Sequence, residues 1–453
     1  MASAALPESS GQGVPRSGWP PESLGMETQL TEKNGQGASV ARAPQLAPET
    51  ALEQLKENPN PGRVPPLPLI ITKVVARCNL NCTYCYEFNL LDQSWRNSAT
   101  VMSSEVFDLL LRRVRQHCEW SQQSKVNFSF HGGEPCILGP KRFSTMCARA
   151  REALPGVEVK ISLQTNGTLL NGEWASVLRD TAANVGISLD GPKAINDKLR
   201  VDHKGHGSYD RVLRGIESLK KAGVDFGLLT VIQLGADPLA VHRHFLSLGC
   251  NSLSYLMPDF THDTFGDTHR RHGPSPCADF LIPIFDDWWF NSTIDVRIRN
   301  FWDIGRMIMG GNTHVDALGN APLSFVVVNT SGDIEGLDVL KACEDSLVKT
   351  GLNIRDSDFI DIARTSPLHA GMIFNSMPLP EVCRACQECE TCGGGYHPHR
   401  YSRNRGFDNP SVWCADLLRL FTHIRARLGV SVAETRERKL ALREDREFQE
   451  VSP

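Results

Sequence analysis

The chain reads as an α/β protein: a partial parallel barrel of six β/α units, followed by a cysteine-rich extension. Three observations predict this. Short apolar and β-branched runs alternate with amphipathic helical stretches between residues 67 and 256. Polar or glycine-containing segments suited to ligand contact follow several of the strand-like runs. Most of the 14 cysteines fall in two tight groups, one after the first run and one near the C-terminus. Alternating β and α elements imply a parallel sheet with right-handed crossovers. Six units are too few for a complete eight-stranded barrel, and in such barrels the chemistry collects at the C-terminal ends of the strands.

The elements follow in order. Leu67–Val75 reads as a strand, and Ser103–Trp120 as a helix with Ser103 or Ser104 as its N-cap. Val126–Phe130, Val157–Leu163, Ala183–Leu189, Phe226–Ile232 and Ser252–Leu256 supply five more strands. Helices are expected at Pro140–Ala153, Asn171–Thr181 and Pro238–Leu248, with helical pattern also running to Gly223. Residues 257–276 are polar and loop-like, and Phe280–Phe290 and Phe301–Met309 are helical. Ser324–Asn329 and Asp333–Leu340 read as a strand pair turning at Ser331-Gly332. Residues 383–414 read as a cysteine-rich loop, Trp413–Leu428 as a helix, and Val432–Phe448 as a charged helix. Residues 1–64 are too poor in large apolar side chains to offset ordering entropy and are expected to be disordered, with a helical turn near Glu49–Glu57. The expected division is therefore 1–64, a barrel over 65–275, and an extension over 276–453.

Composition excludes several classes. The chain is 41% apolar and 22% charged, ordinary for a globular protein. A net charge of −4 gives no general affinity for nucleic acid or anionic membranes. There is no apolar run of the length, about 18 residues, that spans a bilayer, and no secretory signal pattern. Clustered cysteines favour metal ligation in a reducing cytoplasm over a disulfide framework. The scattered Cys118, Cys136, Cys147, Cys250, Cys277 and Cys343 read as small buried apolar residues.

The first cysteine group is Arg77-Cys78-Asn79-Leu80-Asn81-Cys82-Thr83-Tyr84-Cys85, in the loop after the first strand. Three thiolates at CxxxCxxC spacing can each reach one iron of a [4Fe-4S] cubane, which usually takes four cysteines, so one iron stays open. Zinc sites more often pair CxxC motifs and close all four positions. The motif resembles the signature of radical S-adenosylmethionine (SAM) enzymes. The resemblance implies that Cys78, Cys82 and Cys85 hold the catalytic cluster. It also implies that the open iron chelates the SAM amino and carboxylate groups, and that one-electron cleavage yields a hydrogen-abstracting 5′-deoxyadenosyl radical. Tyr84 would lie against the adenine.

The second strand ends in His131-Gly132-Gly133-Glu134-Pro135, where glycines allow close ligand approach and a carboxylate can accept from an ammonium. It resembles the family's GGEP motif, which grips the SAM amino group. By the same resemblance, Ser188 and Asn166 contact the ribose, Arg200 pairs with the SAM carboxylate, and the backbone near Leu256 borders the adenine.

The second group places Cys383, Cys386, Cys389 and Cys392 at intervals of three, with Cys414 beyond. It resembles the SPASM extension of radical SAM peptide maturases, which usually carries two auxiliary clusters. Here Leu337 and Tyr396 stand where further ligands are expected. One auxiliary [4Fe-4S] cluster on Cys383, Cys386, Cys392 and Cys414 is therefore expected, with Cys389 spare or substituting. An all-cysteine zinc site is the alternative. Asp338 matches a catalytic acid of sulfatase-maturing relatives and is the candidate base, with Asp259, His262 and Asp263 as rivals.

The stretches Cys392–Ser402 and Gly406–Cys414 resemble the FxsB-type branch, near the triceptide (three-residue cyclophane) maturases. The implied function is modification of a ribosomal precursor peptide, joining an aromatic carbon to the β-carbon of a nearby residue. A thioether or a sulfatase formylglycine is the alternative product, and a non-catalytic metal scaffold the alternative of another class. The expected partners are the precursor peptide and a low-potential electron donor such as ferredoxin or flavodoxin.

Overall fold

The computed structural model describes residues 64–291, 295–313, 316–319 and 321–451, the last nine of these by main chain only. The expectations for residues 1–63, including the helical turn near Glu49–Glu57, lie outside the described residues.

Among the described residues, ten strands form one open sheet. They are β1 Leu69–Val75, β2 Lys125–Gly132, β3 Glu158–Thr165, β4 Asn184–Ser188, β5 Phe226–Val231, β6 Ser252–Leu256, β7 Arg297–Ile298, β8 Phe325–Val328, β9 Asp333–Glu335 and β10 Lys349–Asn353. Their order is β10-β9-β8-β1-β2-β3-β4-β5-β6-β7. Strands β1 to β6 are parallel neighbours in chain order, as the alternation predicts. β8 joins parallel to β1, and β9 and β10 continue antiparallel.

Helices pack against the sheet, and polar side chains close the N-termini of three of them. Ser103 accepts from the Val106 N–H, Asn171 from Trp174, and Asp237 from Leu239 and Ala240. The main core packs Phe107, Phe128, Phe130, Phe143 and Trp174 between helices and sheet. A smaller core joins Val327, Leu337 and Leu340 to Tyr396 and Tyr401, so the hairpin and the C-terminal segment share one apolar layer. No helix among the described residues is long and apolar enough to cross a membrane.

Three sequence expectations are corrected. The second hairpin strand stops at Glu335, not Leu340, because Asp338–Ala342 coils into a 3-10 turn that buries Asp338 and Lys341. The helical pattern to Gly223 breaks into Lys193–Leu199 and Tyr209–Lys221. Between them Val201 and Gly207 pair across a tight turn, and a Cβ on Gly207 would meet the Asp197 carboxyl at 2.1 Å. The cysteine-rich loop contains three single helical turns: Glu381–Arg384, Cys389–Cys392 and His397–Arg400.

Candidate active site

At the C-terminal ends of the parallel strands lies a cavity of about 410 Å³. Its wall includes Cys78, Cys82, Tyr84 and Cys85 from the loop after β1, Gly132 and Gly133 from the end of β2, and Asn166, Ser188, Arg200 and Leu256. Asp338 lines it as well, with Asp259, Asp316, Tyr396 and His399. Most sequence-predicted site residues outside the second cysteine group are thus brought to one space.

The cysteine loop is held from two sides. The Asn81 and Thr83 N–H groups donate to the Val201 and Leu199 carbonyls at 2.7 and 3.0 Å, and a ring nitrogen of His203 meets the Cys78 carbonyl at 2.9 Å. From the other side the Gly133 N–H donates to the Val75 carbonyl and Glu134 N–H to that of Arg77. This approach needs glycine. A Cβ on Gly132 (φ +129°) would meet the Val75 oxygen at 2.2 Å, and one on Gly133 the Arg77 oxygen at 2.2 Å. Gly133→Ala therefore forces the cysteine loop outward. We expect a loss of stability of about 1–3 kcal/mol, the usual scale for overpacking, and loss of the iron held by that loop. Thermal melting and iron counting check both, and an iron-replete variant of unchanged melting temperature would overturn the expectation.

The second clamp delivers Arg200 to the cavity. Its Nε lies 3.0 Å from Asp190 Oδ2, and its guanidinium stands 5.5 Å from the Tyr84 ring centroid. Tyr84 donates its hydroxyl to the same Asp190 oxygen at 2.5 Å. Asp190, two residues beyond the end of β4 and not singled out from the sequence, thus orients both residues. Arg200 is thus a buried cation paired with Asp190, although its Nε–H is not aligned on that oxygen.

Glu134 is placed differently from a simple cavity-wall acid. Its carboxylate accepts from the Cys136 N–H at 2.9 Å, the Thr165 hydroxyl at 2.6 Å and the Asn166 N–H at 2.7 Å, tying the ends of β2 and β3 together. Burial raises its pKa. Asn166 spends its amide on Asn79 and Thr168, while Ser188 accepts from Gln164 at 3.0 Å.

Burial pushes the Cys85 thiol up to about 12, and moves Cys78 and Cys82 the same way. Such thiols ionise when a cationic group binds them. Among the described residues no three His, Cys, Asp or Glu side chains converge on one metal-ion position. A cubane asks for something else, a separate iron for each thiolate, and three thiols spread around one cavity suit that demand.

Asp338 sits in a buried charge network. Lys73, 3% exposed on β1, lies 2.9 Å from Glu87, 3.2 Å from Glu335 and 3.6 Å from Asp338, and Lys341 lies 2.6 Å from Glu87. Tyr86 donates its hydroxyl to Asp338 at 2.9 Å. Burial alone would raise the Asp338 carboxyl, but Lys73, His131, Tyr86 and Lys341 together hold it below the usual carboxylate range. Of the rivals, only Asp259 faces the cavity. His262 meets the Pro410 carbonyl at 2.8 Å, and Asp263 accepts from the Arg403 N–H at 2.9 Å, so both fasten the loop after β6 to the C-terminal segment.

The second cysteine group adjoins this cavity. Burial raises the Cys392 thiol to about 12, and the neighbouring Cys414, Cys383 and Cys386 push it the same way. Cys389 neighbours Glu390, Cys386, Arg436 and Lys439. Leu318 and Leu417 line the cavity. The Gly319 N–H donates to the Cys392 carbonyl at 3.2 Å, and Leu417 follows Cys414 by one helical turn.

A family model described as the Radical SAM superfamily matches residues 72–270, from β1 past β6. The cysteine-type anaerobic sulfatase-maturating enzyme of Clostridium perfringens is 28% identical over 371 residues, covering 81% of this chain and 98% of that one. The serine-type anaerobic sulfatase-maturating enzyme of Bacteroides thetaiotaomicron is 25% identical, covering 79% of this chain and 89% of that one. The solved structure of native anSMEcpe with bound AdoMet and Cp18Cys peptide superposes with a TM-score of 0.68 at 27% identity, over 80% of this chain and 98% of that one.

Proposed function

We propose that this radical SAM enzyme, a peptide-modifying maturase that works with a [4Fe-4S] cluster and SAM, forms a carbon–carbon crosslink between an aromatic side chain and the β-carbon of a nearby residue. In this reading Cys78, Cys82 and Cys85 hold the cluster, which with SAM supplies one-electron cleavage to a hydrogen-abstracting radical. Arg200, oriented by Asp190, pairs with the SAM carboxylate. Gly132 and Gly133 let the β2 end approach it, Tyr84 and Leu256 border the adenine, and Ser188 meets the ribose. Glu134 holds the strand ends in register around the SAM amino group. Cys383, Cys386, Cys392 and Cys414 would hold one auxiliary [4Fe-4S] cluster, whose chemistry is electron transfer. The enzyme works in the cytoplasm with a low-potential donor of the ferredoxin or flavodoxin kind.

Asp338 supplies the base that this reading needs, as it would for the formylglycine alternative. Crosslinking removes two hydrogens from the peptide: one as an atom from the β-carbon, one as a proton from the ring carbon, with an electron leaving as aromaticity returns. A carboxylate kept ionised by Lys73 and Tyr86 accepts a strongly acidic proton, and the ring carbon offers one at that moment. The segment that resembles the crosslinking maturases supplies Tyr396 and His399 to the same cavity.

A second reading, formylglycine formation on a sulfatase, draws on the likeness to sulfatase-maturating enzymes along nearly their whole length. Anaerobic turnover of two peptides separates them, one with aromatic-x-x repeats and one with a sulfatase-type cysteine. Loss of two hydrogens with no aldehyde supports the crosslink. Loss of sulfur, with a product that reacts with hydrazide, replaces it with the second reading.

A further inference from the structure

One corner of the cavity is rich in acceptors and short of donors. Asp259 lies just beyond β6, and the charged groups that act on it are Asp316 and Asp338, both of its own sign. Burial and that repulsion raise its carboxyl to about 7. His399 Nε2 stands 3.9 Å from Asp259 Oδ1, beyond hydrogen-bond reach. The Pro258 carbonyl favours a proton on the His399 ring, and Nε2 is buried with no partner. That assigns Nε2 as a lone-pair acceptor on a residue only 4% exposed. The Arg299 cation and the Tyr396 hydroxyl both favour the charged form of Asp316, and Arg299 does the same for Asp303. Asp338, by contrast, has Lys73 and Tyr86 in direct contact.

Buried anions without a counter-cation are unfavourable, as is a buried acceptor without a donor. The fold meets both demands at Asp338 and leaves both open at Asp259 and His399. A group that brings positive charge and several N–H donors would answer them together, and an ammonium or guanidinium head does so.

We propose that the peptide substrate carries a lysine or arginine side chain beside the residue that is modified, and that its cationic head enters the corner formed by Asp259, Asp316 and His399. This rests on the peptide-modifying reading above and adds a specificity determinant to it. Asp259 and Asp316 select the substrate; Asp338 remains the base.

The test uses the reconstituted holoenzyme with SAM and three small probes: the N-acetyl methylamides of lysine, arginine and norleucine. Ligand-observed NMR reads their binding without any turnover. The expected result is a preference of about tenfold or more for one cationic probe over norleucine, the scale of one charge-assisted hydrogen bond. The better cation identifies the head group, and Asp259→Asn abolishes the preference. Equal binding of all three probes to the wild type overturns the inference, as does a preference that survives in both Asp259→Asn and Asp316→Asn. Peptide turnover separates this from the underlying reading. A peptide modified equally well with lysine or norleucine beside the reacting residue removes the cation site and keeps the crosslinking reaction.

Discussion

Replacing Cys78, Cys82 and Cys85 together with alanine should abolish SAM cleavage and lower the iron content of the anaerobically reconstituted protein from about eight to about four, the count expected for four-iron ligation at each of two sites. The three thiols line one cavity at the strand ends, and their loop is fastened by backbone hydrogen bonds from the Val201 side and the Gly133 side. The substitutions remove sulfur and leave those bonds in place, so the fold should survive. The measurements are iron counting and 5′-deoxyadenosine after reduction with SAM. A wild type with about four irons plus zinc, and SAM cleavage intact, would keep the first cluster and assign zinc to the second cysteine group. A triple variant that still cleaves SAM would remove these cysteines from the chemistry.

Asp338→Asn should separate SAM cleavage from peptide modification. We expect 5′-deoxyadenosine to form with peptide present while the crosslinked product falls about 10²- to 10⁴-fold, the usual contribution of a positioned base. The amide keeps the shape of the side chain and can still meet the Tyr86 hydroxyl, and Lys73 keeps Glu87 and Glu335. The stability loss should be about 1–3 kcal/mol, as for a buried hydrogen bond to a charged group. Its sign with pH follows from linkage. The folded carboxyl lies below its ordinary value, so its contribution is fully present above the unfolded pKa and is lost as pH falls through the folded one. Wild type and variant should therefore differ most near neutrality and converge in acid, which denaturant titrations at several pH values will measure. A variant that loses product and SAM cleavage in equal proportion would assign Asp338 to cofactor binding instead of proton transfer.

The legible part of the site was the part written in short stretches of chain. Cys78, Cys82 and Cys85 fall within one loop, and Gly132 and Gly133 end one strand, so spacing and residue type alone pointed to them. Asp190 was not singled out, because its role joins Tyr84 to Arg200 across three segments. β10 was missed because Gly351, at φ +81°, interrupts the alternation that marks a strand. The 3-10 turn at Asp338 was missed because what holds it, burial against Lys73 and Tyr86, comes from more than 250 residues earlier.

The sequence by itself determined the six parallel strands, the helices between them and the cysteine loops, since periodicity, caps and ligand spacing are local properties of a chain. The tertiary structure alone decided the electrostatics: which carboxylate is matched by a lysine, and which is left facing a histidine nitrogen that has no partner. Burial sets the sign and size of those interactions. The charged side chains that line the cavity, Glu87, Arg200, Asp259, Arg299, Asp316 and Asp338, come from separate stretches of chain that only folding brings together.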